Sequence, residues 1–147
     1  MRRAAILIVL TAVLVDCEPN LPSDLPGLMN AMGDYDMRVS FAAAKRVEKI
    51  YGKAGLLQAL EHPNSYTRSK AAHFLMDFSG ADVEAALSKA SADTDAHVRM
   101  WCAWSLGEQG TATVLPVLET LAQDPEEIVR LEAAEAVEKV RKRGGAS

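Results

Sequence analysis

Cysteine and histidine are scarce in this chain: two Cys, at 17 and 102, and three His, at 62, 73 and 97, among 147 residues. Two cysteines exclude a disulfide framework, and with three scattered histidines they supply no zinc-type cluster. Aromatic residues make up only 5%. No apolar run reaches the ~20 residues that cross a bilayer as a helix. No segment alternates apolar and polar residues as a half-buried strand does. A Gly-rich phosphate loop and a Gly-x-Ser-x-Gly elbow are both missing, so no motif points to nucleotide or hydrolase chemistry. Lys plus Arg is 16 against Asp plus Glu 20, a net charge of −4. That balance argues against nucleic-acid binding, which needs clustered cations to displace counterions. The 49% hydrophobic share is too high for a disordered chain, and the length suits one domain.

What is present begins with an address. Met1-Arg2-Arg3 leads into Ala4 to Val15, 12 residues whose only polar member is Thr11. A cationic head and an apolar stretch of about 7–15 residues read as a secretory signal, here over 1–16. Cys17 follows in a setting that resembles the lipobox of bacterial lipoproteins, whose Cys is lipidated; Asp16 departs from the small residue of that pattern. A lipid anchor at Cys17 and simple cleavage to a periplasmic or secreted protein both stay open. Cleavage removes Arg2, Arg3 and Asp16 and leaves 14 cations against 19 acids, a net charge of −5. Residues 17–36 carry Pro19, Pro22, Pro26, Gly27 and Gly33, and read as a tether with one helical turn at Leu28 to Met32.

The rest repeats itself. Arg68, Arg99 and Arg130 stand 31 residues apart. Thr67, Val98 and Val129 precede them; Ala71-Ala72, Cys102-Ala103 and Ala133-Ala134 follow at three and four residues, and Leu75, Leu106 and Val137 at seven. Those offsets form one stripe of an α-helix. A shortened copy carries Val39, Ala43-Ala44 and Val47, with Ser40 in place of the Arg. Second helices follow, marked by Leu56, Leu57 and Leu60, by Val83 and Leu87, and by Val114 and Leu118. Gly52, Gly80 and Gly110 fall between first and second helices, where a left-handed C-cap favours Gly. Each pair hides its apolar stripe only by stacking on the next. In the last helix, Leu131, Ala134, Val137 and Val140 are expected to face the preceding repeat. Glu135 with Lys139 and Glu138 with Lys142 are favourable pairs four residues apart.

From His97 to Val137 this frame closely resembles the HEAT-like repeats found in phycobilin lyases and many bacterial proteins, and the resemblance extends loosely over residues 36–143. It implies an all-α, short right-handed α-α superhelix of about three helix pairs plus a terminal helix over 37–143, with a disordered tail at 144–147. It also implies a structural ladder in which Arg68, Arg99 and Arg130 pair with Asp93, Asp124 or their neighbours. One enzyme branch, the deoxyhypusine hydroxylases, holds two irons through His-Glu pairs at the starts of first helices. The equivalent positions here are Ser69-Lys70, Met100-Trp101 and Leu131-Glu132, and the sequence has no His-Glu pair.

Trp101 and Trp104 break the repeat. They stand two and five residues after Arg99, where sister repeats place Lys70 and His73, or Glu132 and Glu135. Two indoles at solvated positions expose apolar surface unless something covers them, and Trp is enriched at interface hot spots. With Met100 they are the candidate protein-binding residues; coverage by the folded-back tether or by tighter packing is the competing reading. A second candidate surface is the inner face of second helices, with Lys53, Gln58, Glu84, Ser88, Thr113 and Thr120. The sequence is thus read as a protein-binding scaffold of the bacterial cell envelope without enzymatic activity, catalytic residue, metal or cofactor. Its partner is another protein, and it meets the membrane only through a lipid anchor at Cys17. The alternative is an accessory or lyase-like subunit related to phycobilin lyases.

Overall fold

The computed structural model describes residues 19–145. The signal segment, Cys17 and the last two residues of the tail lie outside that range. Helix starts follow Asx chemistry. Asp24, Asp36, Asn64 and Asp95 are N-caps whose side chains accept from the amides of Gly27, Arg38, Tyr66 and His97 at 2.6–2.9 Å. Such caps satisfy amides that a helix start leaves without partners. The helices are α1 (Leu25–Met32), α2 (Met37–Ala59), α3 (Ser65–Phe74), α4 (Ala81–Ala90), α5 (Ala96–Gln109), α6 (Leu115–Leu121) and α7 (Glu127–Gly144). Short 3-10 turns at Leu75–Asp77 and Ala112–Val114 lead toward α4 and into α6. Among the described residues there is no strand, and no helix is long and apolar enough to cross a membrane.

Gly52, at φ 56° and ψ −148°, breaks α2 into a first and a second helix. Gly80 precedes α4 at φ 131°. Both conformations suit a residue without a Cβ. Gly110 departs from the expected left-handed cap: its φ is −69°. There a Cβ would collide with the Leu106 carbonyl, so close approach, not φ, requires glycine. The first half of α2, α3, α5 and α7 form one layer of a short solenoid. The second half of α2, α4 and α6 form the other.

The repeated stripe is the core. Thr67, Val98, Val129, Ala43, Ala71, Cys102, Ala133, Leu75 and Leu106 are fully buried. At Gly107 the backbones of α5 and α7 touch, since a Cβ would sit 2.7 Å from that of Ala136. Two expectations fail. The segment read as a tether contains α1, whose Leu28, Met29 and Met32 join the core. Pro26 sits in its first turn, where a missing amide proton costs nothing. α1 is tied to α3 by Thr67, whose Oγ1 donates to the Met29 carbonyl at 2.9 Å. In α7, the buried face is Val129, Ala133, Ala136, Val137 and Val140. Leu131 is 65% exposed, and Ala134 is exposed too. Those two occupy the side where the other repeats pack a second helix, and here none follows α7 within the described residues.

Candidate functional site

Two constructions stand out above the core. The first runs along the loops. Arg68 donates from Nε and Nη2 to Asp93 at 2.7 and 2.9 Å, and from Nη1 to the carbonyls of His62 and Pro63. Arg99 repeats this geometry on Asp124 at 2.7 and 2.9 Å and on the carbonyls of Asp93 and Thr94. Arg130 bonds the carbonyls of Asp124 and Pro125, both at 2.7 Å. Each Asp also accepts an amide of its own loop, from Asp95 and Glu126. The bonds to Asp93 and Asp124 raise the pKa of Arg68 and Arg99. For Asp124 the Arg99 bond comes first in holding the carboxyl below its usual range. Burial pushes Asp93 up, but Arg68, the Asp95 amide and the Arg99 charge outweigh it and leave it low. Bidentate pairing of this kind fixes register as well as energy.

The second construction lies on the outer layer, around the tryptophans. Trp101 stacks on His73 of the preceding repeat at 4.1 Å and 17°. Trp104 meets the Trp101 edge at 6.0 Å, donates its Nε1–H to Met76 Sδ at 3.4 Å and lies under Lys139 Nζ at 4.7 Å. Both indoles are half-buried, and His73, Met76 and Lys139, which cover them, come from adjacent repeats. Met100 is partly buried against the core. Trp104 therefore clips α5 to its neighbours, whereas Trp101 turns one edge into a cleft of about 260 Å³. Met37, Ser65, Tyr66, Ser69 and Lys70 line it from α2 and α3, with Asp95 and His97 at the start of α5.

Lys70 gives this cleft its character. Its Nζ has Met37 Sδ at 4.0 Å. Desolvation by burial moves its pKa down. Asp95, the other charge of opposite sign in the lining, already accepts from the amides of His97 and Val98 as a helix cap. Apolar surface continues outward over Met37, Tyr66 and Tyr35, the last 87% exposed and in edge contact with Tyr66 at 5.6 Å. Sequence inspection found Trp101 and missed Lys70, Tyr66 and Met37 as its neighbours. The available signal was the repeat frame itself: position +5 of one first helix meets position +2 of the next, so His73 and Trp101 were adjacent in principle.

The remaining candidates are accounted for. Cys102 is fully buried, which pushes its thiol pKa up and leaves it a small core residue. His62 bonds Asn30 and accepts the Asn64 amide. On the inner face, Lys53 pairs with Asp82 at 2.6 Å. Glu84 accepts from the Thr111 amide and from the hydroxyls of Thr111 and Thr113. Those groups bind neighbouring repeats together. Among the described residues no three His, Cys, Asp or Glu converge as metal ligands.

A family model described as HEAT repeats matches residues 54–138, more than half of the chain. The chain belongs to the HEAT-repeat family. No curated protein matches it in sequence. Among solved structures, this HEAT-repeat chain is similar to human deoxyhypusine hydroxylase in complex with glycerol, at 21% identity and a TM-score of 0.64. The likeness covers 84% of this chain and 46% of that one, so the chain spans less than half of that structure. At that identity the likeness carries the fold alone. It nevertheless overturns the expectation of a protein without enzymatic activity, because an enzyme is built on the same repeat fold and the fold gives no ground for excluding catalysis. The His-Glu pairs through which that one enzyme branch is expected to hold irons have no counterpart here. Ser69, Lys70, Met100 and Trp101 occupy the corresponding positions, and a lysine ammonium repels a cation where a ligand is needed.

Proposed function

We propose that this HEAT-repeat module recognises another protein at the bacterial cell envelope, through the cleft between Trp101 and the Met37–Tyr66 wall. One observation carries the reading: a cleft with Met37, Tyr66 and Trp101 among its lining holds a partly desolvated ammonium, Lys70, whose bonding neighbour is a thioether sulfur. An incoming segment that presents a carboxylate beside an apolar side chain supplies the missing counter-charge and covers the rings. Trp101 is already fixed by His73, so little side-chain freedom is lost on binding. The cationic head, the apolar run over 4–15 and Cys17 support export and a lipid anchor as the route to the envelope.

The test replaces Tyr66 with a photo-crosslinking phenylalanine derivative in the full chain, in cells, beside a control at Ile128. A discrete adduct at position 66, reduced at least tenfold by Lys70→Glu and absent at 128, is the expected result. Equal adducts at both positions, or indifference to Lys70→Glu, overturn the proposal.

A further inference from the structure

The chain is acidic as a whole, yet its charge is unevenly placed. α2 carries Arg38, Lys45, Arg46, Lys49 and Lys53 against the single acid Glu48, a balance of +4. The rest of the sequence holds 11 cations and 19 acids. Arg38 is paired with Asp36 at 2.9 Å and Lys53 with Asp82 at 2.6 Å. Lys45 stands over the Phe41 ring at 5.5 Å. Arg46 and Lys49 have no carboxylate at ion-pair distance among the described residues. At i, i+1 and i+4, Lys45, Arg46 and Lys49 share one edge of the helix. They frame a groove of about 400 Å³ with Ala42 and Ile50, and Pro19 and Leu21 run along it. Ile50 is 55% exposed, though it is neither polar nor part of the stacked core.

We propose that this edge of α2 rests on an anionic membrane surface. Apolar side chains ringed by cations that have no carboxylate partner among the described residues match the boundary between acidic headgroups and acyl chains. The order of the sequence places the edge there. The apolar run ends at Val15, four residues before Pro19, which lies in the groove. Four residues reach at most about 14 Å, within two Debye lengths of ~8 Å at physiological salt. An apolar run or a Cys17 lipid held in a bilayer therefore keeps the edge inside the surface field. The Trp101 cleft plays no part in this contact, so either proposal can fail without the other.

The test uses the full chain with vesicles of phosphatidylcholine alone or mixed with brominated phosphatidylglycerol. Bromine quenching is read as the gain over the parent chain for Ile50→Trp and, as control, Ile128→Trp. Expected is strong quenching at 50, weak quenching at 128, and loss of the anionic preference in high salt. Lys45→Gln, Arg46→Gln and Lys49→Gln together lower the phosphatidylglycerol preference on the order of a hundredfold, by the usual worth of a basic residue near an acidic surface. Equal quenching at 50 and 128, or no preference for phosphatidylglycerol, overturns the proposal. So does an Ile50→Trp signal indifferent to brominated lipid, which would mean that another part of the chain or a second copy covers the groove.

Discussion

The arginines that recur every 31 residues are alike in sequence and unequal in the fold. Arg99 and Asp124 form a pair whose side chains are 13% and 7% exposed, while Arg130 holds two carbonyls and meets no carboxylate at ion-pair distance among the described residues. Truncating Arg99 leaves a buried carboxylate without its counter-charge, a loss of about 3 kcal/mol. Truncating Arg130 removes bonds to neutral carbonyls and costs about 1–2 kcal/mol. Urea unfolding of Arg99→Met and Arg130→Met is expected to separate the two by midpoint, Arg99→Met lying lower. The ladder implied by the HEAT-like resemblance is present at Arg68 and Arg99, which hold Asp93 and Asp124, whereas Arg130, expected to pair likewise, holds carbonyls instead. The cleft beside Trp101 was not legible in the sequence. Its walls come from α2 and α3, and a helix-by-helix reading of exposed positions cannot say which neighbour leans over an indole.

At the scale of the element, the first helices were legible from their small residues. Ala43, Ala71, Cys102 and Ala133 are all fully buried, because a close helix stack admits no larger side chain at that offset. α1 was hidden for the opposite reason. Three prolines and two glycines between residues 17 and 36 read as punctuation, yet Pro26 is harmless at a helix start and the helix is held by packing, not by propensity. Leu131 was misplaced because its neighbours on the stripe presuppose a following helix. At Gly107, α5 comes into close contact with Ala136 of α7. Gly107→Val must push these helices apart, and overpacking of that kind costs roughly 1–3 kcal/mol. A thermal melt by circular dichroism is expected to show a lower Tm with unchanged helical signal, and Gly144→Val, where nothing lies within 4 Å, is expected to leave Tm in place.

For the whole molecule, protonation sets two opposing slopes. Asp93 and Asp124 have lowered pKa values in the fold, so their contribution is present above the ordinary value of 3.8 and is lost as pH falls through the lower folded values. Glu132 is the reverse. Burial first, then the charge of Glu135, raises its pKa, and its Oε1 is buried without a partner. Its charge opposes folding above the raised value and is relieved as pH falls toward 4.5. His62 and His73, whose pKa burial lowers, oppose that relief as pH falls below 6.5, so Glu132 is read by difference: the Tm gap between Glu132→Gln and the parent chain is expected to shrink from about pH 7 toward 4.5, before both fall steeply toward about pH 3. Among the described residues the fork of Arg130 meets no carboxylate and Leu131 and Ala134 are exposed, and this has an engineering meaning. They form a socket with known register: a grafted helix pair bearing an aspartate 25 positions beyond Arg130, the separation of both existing rungs, extends the array by one unit. In a chain of nearest-neighbour contacts, such an addition transmits rigidity inward from the newly closed end.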